Sequence, residues 1–172
     1  MSDQLAHSDH KNQFQKFPVI LLTDSLMGDA NIGSLFRLSD AFNIEKIVFC
    51  GSPVNLDSNR LKRTARATVN KTESEFYENA LQALEKYKAT GYTPVALEIT
   101  KESTPISPEV FKPFNKILLV VGNERHGISA DLLQEIPVHL HIPMFGNNSS
   151  MNVSHAAAIA FYEISKTLHS FP

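Results

Sequence analysis

The 172-residue sequence has no tryptophan, seven glycines and a single cysteine. One cysteine excludes an intramolecular disulfide, and Cys50 ends the apolar run IVFC, where a buried thiol is expected rather than a nucleophile. No apolar run approaches the ~18 to 20 residues of a membrane span, and residues 1–16 lack the apolar centre of a signal peptide. The sequence therefore predicts a soluble protein of a reducing compartment, in the cytoplasm and without membrane contact.

An excess of charge of one sign is also missing, since 16 basic residues stand against 18 acidic ones. The net charge of −2 excludes a uniformly basic nucleic-acid binder. However, residues 58–72 contain no acid and five bases, which are Arg60, Lys62, Arg63, Arg66 and Lys71. Removing these five from the 16 leaves 11 bases against 18 acids, a net charge of −7 for the remainder. The segment predicts contacts with nucleic-acid phosphates, although a solvated helix face would look the same.

The 42% of hydrophobic residues, with 11 phenylalanines, can fill the core of one domain, predicted for residues 17–172. The polar residues 1–16 predict a flexible N-terminal arm. Apolar runs predict strands at 18–24, 46–50, 93–99, 116–121 and 138–142. Apolar residues at spacings of three and four predict helices at 31–42, 73–90 and 151–168. This alternation predicts an α/β fold with a mainly parallel sheet flanked by helices on both faces.

Two polar segments follow predicted strands, where open α/β sheets bind ligands: VVGNERHGIS and IPMFGNNSSMNVS. The first has Gly122 and Gly127 but lacks the Lys and Ser/Thr of a phosphate loop, and no GxGxxG occurs in the chain. The second could wrap a small polar ligand, although its asparagines and serines taken singly are ordinary turn and cap residues. His139 and His141 share one strand face without further ligands nearby in sequence, so no metal site is predicted.

The predicted first helix carries three residues of interest. Asn31 is a plausible N-cap, and Gly33 would let another backbone approach closely. Arg37 lies one turn beyond Gly33, away from the apolar stripe. The simplest interpretation of Arg37 is a solvated ion pair with Asp40.

Three segments, in their order and spacing, resemble the three motifs of the SpoU/TrmH family of RNA 2′-O-methyltransferases, in the SPOUT superfamily: NIGSLFRLSDAF, LLVVGNERHGIS and IPMFGNNSSMNVSHAAAIAFYE. The resemblance runs from about Pro18 to the last helix. It implies a deep trefoil knot in the C-terminal part of the α/β fold, S-adenosylmethionine bound in that knot, and a homodimer. Composition and periodicity show none of these three features.

The resemblance also implies site residues. Matching the motifs assigns the cofactor site to Thr100 (by position only), Gly122, Ile142, Met144, Ser150 and Met151. It assigns the catalytic site to Asn31, Arg37, Glu124 and Asn152. A guanidinium has a pKa above ~12 and is not expected to act as a base. Arg37 is therefore expected to hold an RNA phosphate and stabilise the developing alkoxide, with water or a phosphate oxygen taking the proton. The identity of the base stays open.

The implied function is methylation of an RNA ribose 2′-hydroxyl, with tRNA as the first expected substrate. Ribosomal RNA, base methylation and a non-catalytic RNA-binding module are the alternatives. One segment departs from the family pattern: LKRTARATVNK lacks the glycine-containing stretch that many relatives carry there. Because this region faces RNA in the family, the departure bears on the choice of substrate.

Overall fold

The computed structural model describes residues 15–168. The strands are β1 (Phe17–Asp24), β2 (Ile44–Cys50), β3 (Glu73–Tyr77), β4 (Thr93–Leu97), β5 (Thr104–Pro105), β6 (Ile117–Val121) and β7 (Val138–His141). The helices are α1 (Asp29–Ala41), α2 (Asn59–Ala65), α3 (Ala80–Ala89), α4 (Pro108–Phe111), α5 (Ala130–Gln134) and α6 (Val153–Leu168). Apart from Gln15 and Lys16, the arm predicted for residues 1–16 lies outside the described residues. No helix within residues 15–168 has the length and apolarity to cross a bilayer.

The strands form one sheet in the order β3-β2-β1-β6-β4-β7-β5. Every pairing in it is parallel. The five strands predicted from apolar runs correspond to β1, β2, β4, β6 and β7, and the α/β class with a parallel sheet is confirmed. β1 and β6 lie at the centre, where strands are buried on both faces and continuous apolar runs are expected.

Alternation along the strands divides the core into two layers. Val19 and Leu21 of β1 belong to one apolar cluster, together with buried side chains of α1, α2, α4 and α6. Ile20 and Leu22 belong to the other, together with α3 and α5. Cys50 is buried in this second layer, and burial, followed by the nearby Asp24 carboxylate, raises the pKa of its thiol to about 12. The predicted structural role of Cys50 is confirmed.

The helix predicted over 73–90 is wrong in its first half. Residues Glu73–Tyr77 form β3, which pairs with β2, and α3 begins only at Ala80. Asn79 caps α3, since its Oδ1 accepts the Leu81 N–H at 2.8 Å. Phe76 fits the helical spacing of the residues that follow it, but pairing with β2 outweighs that local pattern.

Glu75 holds β3 against its neighbours. One carboxylate oxygen accepts from Lys46 Nζ at 2.6 Å, and the other accepts from Lys86 Nζ at 3.0 Å and from the Tyr87 hydroxyl at 2.9 Å. The hydrogen bond from Lys46, together with those from Lys86 and Tyr87, outweighs partial burial and lowers the pKa of Glu75 to about 2. The polar strand β3 is thus anchored by a charged group, in addition to the packing of Tyr77 against the second core layer.

Glu75→Gln should lower the free energy of unfolding by about 1–2 kcal/mol at pH 7, because Lys46 and Lys86 lose their shared carboxylate. The folded pKa of Glu75 lies below its unfolded value, so its contribution is present above about pH 4.5 and is lost as the pH falls towards 2. Urea unfolding of the wild type and the variant should therefore converge near pH 2.

Glu85→Gln is the matched control, since Glu85 pairs with Lys88 on the surface and its side chain is 62% exposed. Its effect should stay within about 0.5 kcal/mol. A Glu75→Gln variant as stable as this control at pH 7 would contradict the anchoring role.

Candidate active site

A cavity of about 600 Å³ lies at the carboxyl ends of β4, β6 and β7. Open parallel sheets bind ligands at this edge. The predicted site residues that line it are Asn31, Gly122, Glu124, Ile142, Met144, Ser150, Met151 and Asn152. They come from α1, the β6–α5 loop and the β7–α6 loop, so the fold brings all three motifs to one place.

The β6–α5 loop folds back on itself at this edge. The N–H groups of Asn123 and Gly127 each donate to the other residue's carbonyl oxygen, at 3.0 and 2.9 Å. A Cβ on Gly122 would lie 2.1 Å from the Gly127 carbonyl carbon and 2.3 Å from Ile128 N, so only glycine fits there. Asn123 Nδ2 donates to the Ser25 carbonyl oxygen at 2.7 Å, which ties the loop to the end of β1.

Glu124 projects from this loop onto the start of α1. Its Oε1 accepts the Gly28 N–H at 2.9 Å and Asn31 Nδ2–H at 3.0 Å, and its Oε2 accepts the Met27 N–H at 3.4 Å. Partial burial alone would raise the pKa of Glu124, but hydrogen bonds from Asn31 and from the two backbone N–H groups outweigh it, and the pKa lies below its ordinary value. Glu124 is therefore ionised at neutral pH and accepts only.

The ionised Glu124 sets the direction of the remaining hydrogen bonds. Since Asn31 Nδ2 faces Glu124, its Oδ1 faces Asn152 and accepts from Asn152 Nδ2 at 2.8 Å. Asn152 Oδ1 then accepts the Ser154 N–H at 2.9 Å and the Ser154 hydroxyl at 2.7 Å at the start of α6. Within residues 15–168, each amide nitrogen makes one of these bonds, so one N–H of each asparagine is left for a ligand.

The sequence predicted Asn31 as the N-cap of α1, and this prediction is wrong. Gly28 holds that position, and Asn31 lies in the first turn with its side chain turned to Glu124 instead of to backbone N–H groups of α1. The Glu124 carboxylate satisfies the Gly28 N–H at the helix start. The cap predicted on α1 is thus supplied from a distant loop.

Arg37 and Thr100 are not among the described residues that line the cavity. Arg37 is exposed and follows Asn31 by six residues, which turns it by about 240° around the helix. It forms no ion pair with Asp40 within the described chain, so the simple surface pair is absent. Thr100 Oγ1 hydrogen-bonds His139 Nδ1 at 3.1 Å. The roles assigned to both residues stay predictions.

Sequence reasoning missed five polar residues in the cavity wall, among them Glu98 and His141; the other three are Asn123, Arg125 and His126. Glu98 directly follows β4, and its Oε2 accepts the Ile128 N–H at 3.1 Å. A Cβ on Gly127 would come within 2.5 Å of that oxygen, so the glycine makes room for the carboxylate. His141 ends β7, and its Nδ1 lies 3.0 Å from Ser103 Oγ. The sequence could have indicated Glu98 and His141, because each lies at the carboxyl end of a predicted strand, where open parallel sheets bind ligands.

The basic segment forms α2 and the turn after it. The side chains of its five cations are all exposed: Arg60, Lys62, Arg63, Arg66 and Lys71. Lys62 is paired with Asp57 at 2.8 Å, just outside the acid-free segment. A Cβ on Gly33 of α1 would lie 2.5 Å from the Leu61 carbonyl oxygen, which confirms the close backbone approach predicted at Gly33. The basic segment is thereby packed directly against the helix that carries Asn31.

Residues 18–162 match the SpoU rRNA Methylase family. The chain belongs to this family. The match spans the three motif segments, except Glu163 at the end of the third, and every strand and helix that surrounds the cavity, apart from the end of α6.

Two relatives of this SpoU chain illustrate the spread of the family. The chain is 26% identical over 150 residues to the 23S rRNA (guanosine(2553)-2′-O)-methyltransferase RlmP of Bacillus subtilis, covering 84% of the chain and 57% of that protein. It is 31% identical over 137 residues to the tRNA (guanosine(18)-2′-O)-methyltransferase of Borreliella burgdorferi, covering 77% and 56%. The chain thus spans about half the length of these relatives.

Among solved structures, the A. aeolicus TrmH/SpoU tRNA modifying enzyme superposes on the SpoU chain with a TM-score of 0.77 at 25% identity, covering 87% of the chain and 75% of that structure. The AdoMet-bound rRNA methyltransferase from Sinorhizobium meliloti gives a TM-score of 0.78 at 21% identity, covering 94% and 59%. At 21% identity, the similarity to the Sinorhizobium meliloti structure shows a shared fold.

Gly122→Ala should lower the free energy of unfolding by about 1–3 kcal/mol, because the new Cβ would overlap backbone atoms of Gly127 and Ile128. Gly146→Ala is the matched control: it lies in the β7–α6 loop, and its Cβ would meet nothing within 4 Å. The control should stay within about 0.5 kcal/mol of the wild type in urea unfolding. Equal stability of the two variants would show that the β6–α5 loop is looser than its contacts imply.

Proposed function

We propose that the chain is an S-adenosylmethionine-dependent RNA methyltransferase that acts on a ribose 2′-hydroxyl. The observation that carries this proposal is the hydrogen-bond chain from Glu124 through Asn31 to Asn152 in the cavity wall. It leaves two amide N–H groups for an oxygen ligand at the sheet edge where a nucleotide-like molecule is expected. The two relatives are named 2′-O-methyltransferases, which supports the same chemistry.

The cavity fits S-adenosylmethionine in size and lining. Its volume of about 600 Å³ lies within the range of ~300–1,000 Å³ for small-molecule sites. Leu97, Val121 and Ile142 supply apolar wall, while Glu98 and His141 supply hydrogen-bonding groups. We assign the cofactor to the loops that carry Gly122, Ile142, Met144, Ser150 and Met151. When bound there, S-adenosylmethionine supplies an electrophilic methyl group on a sulfonium leaving group.

The chain's own residues position the ribose and its developing charge. The remaining N–H groups of Asn31 and Asn152 suit a ribose oxygen as acceptor. Their hydrogen bonds to that oxygen would strengthen as it becomes negative. Glu124 is a poor base, because its lowered pKa and its three hydrogen bonds stabilise the ionised form. It holds Asn31 in place instead. The proton passes to water or to a phosphate oxygen, and Arg37 holds the phosphate.

We infer that two copies of the chain complete each site. Arg125 lines the cavity but Arg37 of the same chain does not, so a second copy is the natural source of Arg37 there. Large apolar side chains are exposed beside the cavity: Met27 is 70% exposed and Phe145 is 99% exposed. Met27 adjoins the Glu124 contact, and Phe145 follows Met144 of the cavity wall. A homodimer that covers these side chains would remove apolar surface from water.

We also propose the C-terminal knot of the family. β7 lies between β4 and β5, which only residues 98–103 connect. These residues therefore pass over the end of β7, where Glu98 N–H donates to Leu140 O and Ser103 contacts His141. The chain leaving β7 must pass this crossing to reach α6, which packs against α1 and α4. Such a passage supports threading of the last segment through the preceding loop.

The function is tested with labelled S-adenosylmethionine and total RNA from cells that lack this protein. The purified chain should transfer label to RNA, and nuclease digestion should return the label on ribose.

We propose tRNA as the substrate class, since the relative with the higher identity is a tRNA enzyme. Fractionation would separate tRNA from rRNA. Label on a base would refute ribose methylation, and cofactor binding without transfer to any RNA would favour a non-catalytic module.

Arg37→Ala should keep the fold and the affinity for S-adenosylmethionine but lose methyl transfer by about a hundredfold or more, since a phosphate contact and alkoxide stabilisation disappear together. Asn152→Ala should also lose transfer.

If Arg37 acts across a dimer, mixing the two inactive variants should restore about a quarter of wild-type activity, because half of the dimers are mixed and each has one intact site. Calorimetry and transfer assays measure both effects.

A mixture without activity would place Arg37 in the site of its own chain, provided subunit exchange is shown by tagged copies. Wild-type turnover of Arg37→Ala would remove this residue from the mechanism.

A further inference from the structure

Arg66 has a backbone conformation that favours glycine. Its φ of 56° and ψ of −131° follow the last turn of α2. Within residues 15–168, Ser25 and Asn43 are the other non-glycine residues with positive φ. Asparagine tolerates this region, and Ser25 is fixed by the N–H it donates to Cys50 O at 2.9 Å. A long side chain at such a position is strained, and strain of this kind collects at functional sites.

The fold accounts for the turn but not for the arginine. The Arg66 N–H closes α2 on the Lys62 carbonyl oxygen at 2.9 Å. The buried Thr68 fastens the turn, since its hydroxyl donates to the Ala65 carbonyl oxygen at 2.6 Å. The Arg66 side chain is exposed and makes no ion pair in the described part of the chain. Glycine would satisfy the same backbone contacts without strain.

The position of Arg66 relates it to Arg37. α2 and α1 meet at Gly33, where a Cβ would lie 3.0 Å from Ala65 N and 2.0 Å from Thr64 Oγ1. Arg66 is the next residue after this contact on α2. Arg37 is the residue one turn after it on α1, and both side chains are exposed. The two arginines therefore flank the same helix–helix contact.

We propose that Arg66 binds a backbone phosphate of the RNA substrate beside Arg37, and that this contact is what retains arginine at a strained position. This inference rests on the proposed function. A guanidinium can hold a phosphate with two parallel hydrogen bonds, and a fixed backbone turn limits where it points. Within the basic segment, Lys62 is partly neutralised by Asp57, and Arg60 and Arg63 lie on relaxed helical backbone. Arg66 is the cation of the segment that lies on strained backbone, and we assign the substrate-positioning role to it.

Three variants separate strain from charge. Arg66→Gly relieves the backbone and removes the guanidinium, so its melting temperature should rise by about 2–4 °C while its RNA affinity falls about tenfold at low salt. Arg66→Ala removes the guanidinium and keeps positive φ, so it should lose the same affinity without a comparable rise in melting temperature. Asn43→Gly is the control, since it relaxes another positive-φ residue and removes no charge; its RNA affinity should be that of the wild type.

Melting is followed without RNA, and binding is measured on total tRNA at several salt concentrations. Both Arg66 variants should flatten the plot of log affinity against log salt by about 0.7 to 0.9. Wild-type affinity and salt dependence in Arg66→Gly would overturn the phosphate contact, even if that variant is more stable. An unchanged or lower melting temperature would overturn the claim that arginine is strained there. A wild-type chain that binds no RNA would overturn the proposed function as well, which distinguishes the two failures.

Discussion

The negative charge of Glu124 orders the whole site. A carboxylate can only accept, so Asn31 must present its nitrogen to Glu124 and its oxygen to Asn152, which in turn presents its own oxygen to the first turn of α6. One ionised group therefore determines the orientation of two amides, one in α1 and one just before α6. A protonated Glu124 could also donate a hydrogen bond, so it would no longer fix the orientation of the two amides. Hydrogen bonds from Asn31 and the backbone keep the pKa of Glu124 low.

Close backbone packing makes that arrangement possible. Glu124 reaches α1 because its loop turns back tightly at Gly122, where there is no room for a Cβ. A Cβ on Gly28 would likewise come within 2.4 Å of Glu124 Oε1, so the carboxylate approaches the bare backbone at the start of α1. Gly33 lets α2 pack against the same helix. These glycines lack the side-chain bulk that would separate the loop and the two helices.

The sequence patterns predicted those elements whose structure depends on residues close together in the chain. The run Ile117–Val121 is apolar throughout because both of its faces are buried, so a local pattern was sufficient. Glu73–Tyr77 was mistaken for helix because its anchoring depends on Lys46, a partner 29 positions from Glu75. Eight of the ten residues that the motifs assigned to the site line the cavity. Their directions were not predicted, since the orientation of Asn31 depends on Glu124, 93 positions away. Long-range polar contacts are the part that local spacing does not encode.

The hydrogen-bond chain from Glu124 to Asn152 is better suited to holding charge than to removing a proton. The wall offers two amide N–H groups, while Glu124 accepts three hydrogen bonds and has a lowered pKa. A sulfonium is a good leaving group, so the proposed methyl transfer needs alignment of the attacking oxygen more than it needs a strong base. Alignment of reacting groups can contribute about 7–11 kcal/mol to a rate. The amide donors of Asn31 and Asn152, oriented by Glu124, meet that requirement.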